Sequence, residues 1–155
     1  MTIDTSKGIA GLKGALRYVR AYRDHVFVVK LGGDVLSDPH NLDQVTGQLA
    51  LLASLSIRMI VVHGGGTQAS ALSRRLGQEP ELIAGRRVTD DRAIEVVKMV
   101  YRGQLNTDLV SALRRHGVQA VGVSGVDGEL LTAHRRPPVR VVDDSGPNAR
   151  STTAM

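Results

Sequence analysis

Two short apolar runs, each ended by glycines and each followed by helical spacing, constrain the fold of this chain more than any other feature. Phe27-Val28-Val29-Lys30-Leu31 runs into Gly32-Gly33, and Met59-Ile60-Val61-Val62 runs into His63-Gly64-Gly65-Gly66. Short β-rich runs bounded by glycine read as buried strands. Leu42, Val45, Leu49 and Leu52 then recur at helical spacing over residues 41–55, as do Ala69, Leu72 and Leu76 over residues 67–76. A continuous apolar strand, a glycine turn and a helix make up the repeating unit of a parallel α/β sheet. The expected fold class is α/β, a three-layer α/β/α sandwich with a mainly parallel sheet.

The remaining segments fill in around these units. Ile9, Leu12, Leu16 and Val19 predict an amphipathic helix over residues 5–24, with Lys and Arg on its other face. Asp38 or Asn41 is positioned to cap the helix that Pro39 opens. Residues 79–88, with Pro80 and Gly85, read as a loop or hairpin. Thr89, followed by Asp90 and Asp91, predicts a helix start with a hydroxyl cap. That helix is expected to run to about Arg102, to kink at Gly103, and to resume until Gly117 ends it. Val118–Val123 predicts a third buried strand and Val126–Glu129 a turn. Residues 129–133 and 139–142 suggest a hairpin around Pro137-Pro138. The division expected is a helix at 1–24, a substrate-binding lobe at 25–146 and an irregular tail at 147–155.

Composition narrows the function classes. The chain has 155 residues, enough for one domain with a core. It has no Cys, which excludes disulfides and thiolate metal sites. No apolar run approaches the ~20 residues of a membrane helix. The opening MTIDTSKG lacks the pattern of a secretory leader, so a cytoplasmic protein is expected. The net charge of +5 could attract anions, but the arginines are scattered in doublets. With aromatics at only 3%, no basic strand carries the rings that base stacking requires, and no nucleic-acid partner is expected.

Four stretches carry residue types suited to chemistry. Lys30-Leu31-Gly32-Gly33 places a cation and two unobstructed amides at the carboxyl end of a strand, where open α/β sheets hold ligands. A surface lysine before an ordinary turn has the same spelling. His63-Gly64-Gly65-Gly66-Thr67 offers backbone amides between a strand and a helix, a setting for an anion. It is neither a Walker A loop nor a G-x-G-x-x-G loop. His63 fits a hydrogen-bonded structural role better than acid–base work. In Gly85-Arg86-Arg87-Val88-Thr89 an arginine ahead of a helix can grip a carboxylate with two parallel hydrogen bonds. The stretch Val123-Ser124-Gly125-Val126-Asp127-Gly128 reads as a turn built from Gly and Asp rather than as a crevice wall.

In this order, FVVKLGG, VVHGGG, GRRVT and AVGVSGVDG resemble the amino-acid kinase family, and within it the N-acetylglutamate kinase branch. The likeness covers roughly residues 25–145. It implies ATP-dependent phosphorylation of the side-chain carboxylate of N-acetyl-L-glutamate in arginine biosynthesis, with Mg²⁺ accompanying the ATP. By motif match, Lys30 is similar to the lysine that neutralises the transferring phosphoryl group, and Gly32 and Gly33 would line the phosphate path. Gly64 and Gly65 resemble the backbone donors for the acyl substrate, and Arg87 would bind a substrate carboxylate. Arg86 falls at a variable position. The resemblance stops before the family's second lobe, so most of the nucleotide pocket is expected to be missing. Gln104 and Val126 stand where the family often carries lysine. The helix at 5–24 resembles an extension that assembles homo-oligomers and responds to L-arginine. Two further readings remain open: the arginine-sensing, kinase-like domain of an N-acetylglutamate synthase, and a non-catalytic binding or oligomerisation module.

Overall fold

A computed structural model describes residues 5–23, 25–80, 82–83, 86–134, 139–142 and 151–154. The chain divides into two units, one of residues 1–64 with 111–120 and one of residues 65–110 with 121–155.

The first unit holds α1 (Thr5–Tyr22), β1 (Val26–Leu31), α2 (Gly33–Ser37), α3 (Pro39–Ser54) and β2 (Arg58–His63). Both glycine-ended runs are strands, as predicted, and they pair in parallel from Val26↔Arg58 to Leu31↔His63. Asp38, not Asn41, caps α3: its Oδ1 accepts from the backbone N–H groups of His40 (2.7 Å) and Asn41 (3.2 Å). Pro39 occupies the first turn, where its missing N–H costs nothing. Leu31, Leu36, Leu42 and Leu49 are buried, together with Ala112 and Leu113. Thr46 is fully buried in α3, its hydroxyl donating back to Leu42 O at 2.8 Å. Tyr22 at the end of α1 meets Phe27 edge to face, with ring centroids 5.6 Å apart.

The strands are less buried than their apolar spelling predicts. Val26, Val28, Ile60 and Val62 share one face of the pair by register and alternation, and Val28 is 68% exposed. Only Leu31 is buried along β1. A parallel sheet is dry on both faces only where something covers both.

The second unit contains α4 (Gly66–Arg75), β3 (Leu82–Ile83), β4 (Arg86–Arg87), α5 (Asp91–Val97), a π-helix (Lys98–Leu105), β5 (Val139–Val142) and β6 (Ser151–Ala154). The unit boundary falls within α6 (Asn106–Arg115). Ala69, Val96, Val100, Leu105 and Leu109 are its buried apolar side chains. The hairpin expected over 79–88 is present as the antiparallel pair β3–β4; Gly85 lies outside the described residues. Gly77 and Gly117 take positive φ (73° and 79°) directly after α4 and α6, the left-handed termination that glycine permits.

Four expectations are corrected. Asp90, not Thr89, caps α5, its Oδ1 accepting from Ala93 N at 2.8 Å. Gly103 does not kink a helix; the stretch around it widens into a π-helix. Residues 118–123 form no strand, and Val121 is 88% exposed. The Gly122 carbonyl accepts from Arg102 Nη1 at 2.7 Å, so a side chain satisfies what a ladder would have. Finally, β5 pairs antiparallel with β6 at 151–154, not with 129–133. A strand therefore lies within the stretch read as an irregular tail. The turn expected at Pro137-Pro138 is outside the described residues.

Candidate functional site

The parallel register of β1 and β2 fixes where two of the glycine stretches leave the sheet. Lys30 lies beside Val62 and Leu31 beside His63, so the turns Gly32-Gly33 and Gly64 leave the sheet at the same edge. Gly64 N donates to Leu31 O at 3.1 Å, locking one turn to the other strand. A Cβ on Gly64 would stand 3.9 Å from Gly33 N. Lys30 is exposed at this edge. Within the first unit, then, the structure brings Lys30, Gly32, Gly33 and Gly64 together.

Gly64 is not a spare donor, however. Its N–H is taken by Leu31 O, and its carbonyl lies 3.2 Å from His63 Nδ1, which donates to it in the Nδ1–H tautomer. What Gly64 contributes is a bare backbone beside Gly33. His63 is thus hydrogen-bonded, as its sequence context suggested.

Gly65 and Arg87 belong to the second unit. Gly65 is the N-cap residue of α4, with φ −177° and ψ 26°. A Cβ there would collide with Leu105 Cδ1 and come within 3.3 Å of the Tyr101 ring. Leu105 is itself buried, so the position excludes a side chain. Arg87 sits on β4, paired with Leu82 across the hairpin. Arg86, the preceding residue, pairs with Ile83.

One long-range contact escaped sequence reasoning. Arg102, on the π-helix, holds Gly122 O with Nη1 and lies 3.3 Å from Asp127 Oδ2 with Nη2. That Asp127 oxygen also accepts from Ser124 N (2.5 Å) and Ser124 Oγ (3.0 Å). These bonds hold the Asp127 carboxyl below its usual range; the Ser124 backbone N–H acts most, then its hydroxyl, burial opposes them, and the Arg102 charge adds the smallest lowering effect. The turn at Ser124–Gly128 is therefore a fastened loop, as its Gly and Asp content suggested. The fastening arginine lies too far away in sequence for any local signal to have named it.

Among the described residues no group of three His, Asp or Glu side chains could hold a metal ion, and no helix is long and apolar enough to cross a membrane.

Residues 25–153 match the amino acid kinase family. The chain belongs to that family. Its relatives include the acetylglutamate kinase of Myxococcus xanthus, 47% identical over 134 residues, which is 86% of this chain and 44% of that protein. The acetylglutamate kinase of Anaeromyxobacter dehalogenans is 48% identical over 120 residues, 77% of this chain and 44% of that protein. The chain thus spans under half the length of the curated relatives it matches. Among solved structures it resembles an N-acetylglutamate synthase from Neisseria gonorrhoeae complexed with coenzyme A and N-acetyl-glutamate. The TM-score is 0.61 at 26% identity, covering 73% of this chain and 26% of that one. A second structure of that synthase, complexed with coenzyme A and L-arginine, shares the fold at TM-score 0.58 and 22% identity, covering 94% of this chain and 34% of that one. The α/β class and its parallel pairing are those of the family.

Proposed function

We propose that this chain is the acyl-substrate half of an N-acetylglutamate kinase, holding N-acetyl-L-glutamate for transfer of the γ-phosphoryl group of ATP to its side-chain carboxylate. The observation that carries the reading is Lys30 at one sheet edge with Gly32, Gly33 and Gly64, in a chain 47% identical to an acetylglutamate kinase. In the reaction a carboxylate oxygen bonds to the γ-phosphorus while the bond to the ADP oxygen breaks. Anions are brought together, so catalysis consists of positioning and charge neutralisation. Lys30 supplies a point charge at the strand tip for the transferring group. Gly32 and Gly33 let the phosphate path approach the backbone, and Gly64 clears the space beside them. By motif match Gly65 offers a backbone N–H to the acyl substrate, and Arg87 grips a substrate carboxylate. Mg²⁺ would accompany the nucleotide's phosphates. The charge neutralisation proposed for this chain's own residues falls to Lys30 and the glycine turns.

Calorimetry with N-acetyl-L-glutamate tests the reading. Saturable binding is expected, with L-glutamate much weaker; absence of binding overturns it. A second reading, the kinase-like domain of an N-acetylglutamate synthase with L-arginine as effector, draws on the fold likeness to the Neisseria synthase. An acetyltransferase domain encoded in the same gene would decide for it. In either reading α1, with Ile9, Leu16 and Tyr18 exposed, is the element offered for homo-oligomer contacts.

A further inference from the structure

The second unit contains a cavity of about 300 Å³ that the reading above does not use. Its wall is formed by the end of α4, the segment after it and the approach to α5, and includes Ser73, Gln78, Glu79, Val88, Asp90 and Arg92. Ligand pockets run from roughly 300 to 1,000 Å³, so this one suits a single small molecule and is too small for a nucleotide. It is set apart from the glycine turn that caps α4. Ser73 and Gly65 lie towards opposite ends of that helix, whose 10 residues extend about 15 Å.

The wall carries both signs of charge. Among the described residues Arg92 has no ion-pair partner. Asp90 spends Oδ1 on the Ala93 N–H at 2.8 Å. Glu79 faces Arg74 at 3.5 Å with its side chain 83% exposed, a pairing too open to hold it firmly. A lone anion in the cavity would meet two carboxylates, and a lone cation would meet a guanidinium. A molecule bearing one of each satisfies the wall. Ser73, only 3% exposed, adds a buried hydroxyl, and Val88 adds an apolar surface for a short aliphatic group.

We infer that this cavity is a second small-molecule site, taking a free α-amino acid with a short aliphatic side chain. Its carboxylate meets Arg92 and its ammonium meets Glu79 and Asp90. Arg92, Glu79 and Asp90 are not among the residues proposed to hold N-acetyl-L-glutamate.

The test is calorimetry on the full chain with L-valine and two analogues, 3-methylbutanoate, which lacks the ammonium, and isobutylamine, which lacks the carboxylate. Saturable L-valine binding is expected, with each analogue at least about tenfold weaker, since each leaves one charged wall group unanswered. Arg92→Gln is expected to weaken L-valine at least about tenfold while leaving N-acetyl-L-glutamate affinity in place, which also reports that the variant is folded. Saturating N-acetyl-L-glutamate is expected not to displace L-valine. No saturable L-valine binding up to about 10 mM, equal binding of either analogue, an Arg92→Gln variant that binds L-valine normally, or displacement by N-acetyl-L-glutamate would each overturn the inference. Failure here leaves the sheet-edge reading standing, because that reading is measured with a different ligand.

Discussion

His116 Nε2 lies 3.0 Å from Asp43 Oδ1, tying the residue just after α6 to the first half of α3. The same imidazole lies over Gly47 one turn further along α3, where an added Cβ would meet the ring at 3.5 to 3.8 Å, ordinary contact distance. A glycine within a helix costs roughly 0.5–1 kcal/mol relative to alanine. Gly47→Ala is therefore expected to stabilise the chain by about that amount, read as a raised midpoint in urea unfolding. Gly47→Leu should expel the ring and lower it. Asp43→Ala, removing a half-exposed pair, should cost no more than about 1 kcal/mol.

Gly65 presents the opposite case. An added methyl strikes the buried Leu105 and crowds Tyr101. Overpacking of this kind costs typically ~1–3 kcal/mol, and Gly65→Ala should lose that much in the same titration. Gly66→Ala, whose Cβ would meet nothing within 4 Å, is the neighbouring control and should stay within about 0.5 kcal/mol of the parent.

Acid sensitivity should register at the loop that Asp127 fastens. Its carboxyl is held below the ordinary value in the folded chain, so the folded state favours the ionised form. The resulting stabilisation is present above the unfolded value of about 4, and is lost as pH falls through the lower, folded value. Thermal midpoints of the parent should fall from pH 5 to pH 3 more steeply than those of Asp127→Asn. Parallel curves would remove Asp127 from the account.

Arg87 and Lys30 should separate binding from chemistry. If Arg87 grips a substrate carboxylate, Arg87→Ala removes a charge-assisted pair worth about 1.5–3 kcal/mol. N-acetyl-L-glutamate affinity should then fall tenfold or more by calorimetry. Lys30→Ala should leave that affinity within a few-fold, because its proposed partner is the transferring phosphoryl group. Equal losses in both variants would contradict this division of labour.

The pairing of β1 with β2 was more legible than its surroundings. The two strands that bring Lys30 to the same edge as Gly64 were written in contiguous residues, where apolar runs and glycines speak directly. The cap on α5 was not decided by spelling: Thr89 and Asp90 are both competent, and only geometry shows that the Asp90 carboxylate reaches Ala93 N. The run 118–123 has the composition of a buried strand. It forms no strand, and its Gly122 carbonyl is taken instead by Arg102, a residue that no local window contains. Composition states what a segment could do; a ladder also needs a neighbour, and neighbours are non-local. The amide of Gly64 shows the same gap. A triple glycine announces free donors, yet Leu31 had already claimed one of them.

The π-helix from Lys98 to Leu105 has a consequence for how this chain tolerates length changes. A π turn carries an extra residue relative to an α turn. Loss of one residue there, Gly103 for instance, can be absorbed by tightening the coil, with the flanking helices kept in phase. The same loss inside α3 would rotate everything beyond it by about 100°, turning Thr46 and Leu49 out of the core. Insertions and deletions among natural variants of this chain should accordingly gather in the wide coil and avoid the narrow one.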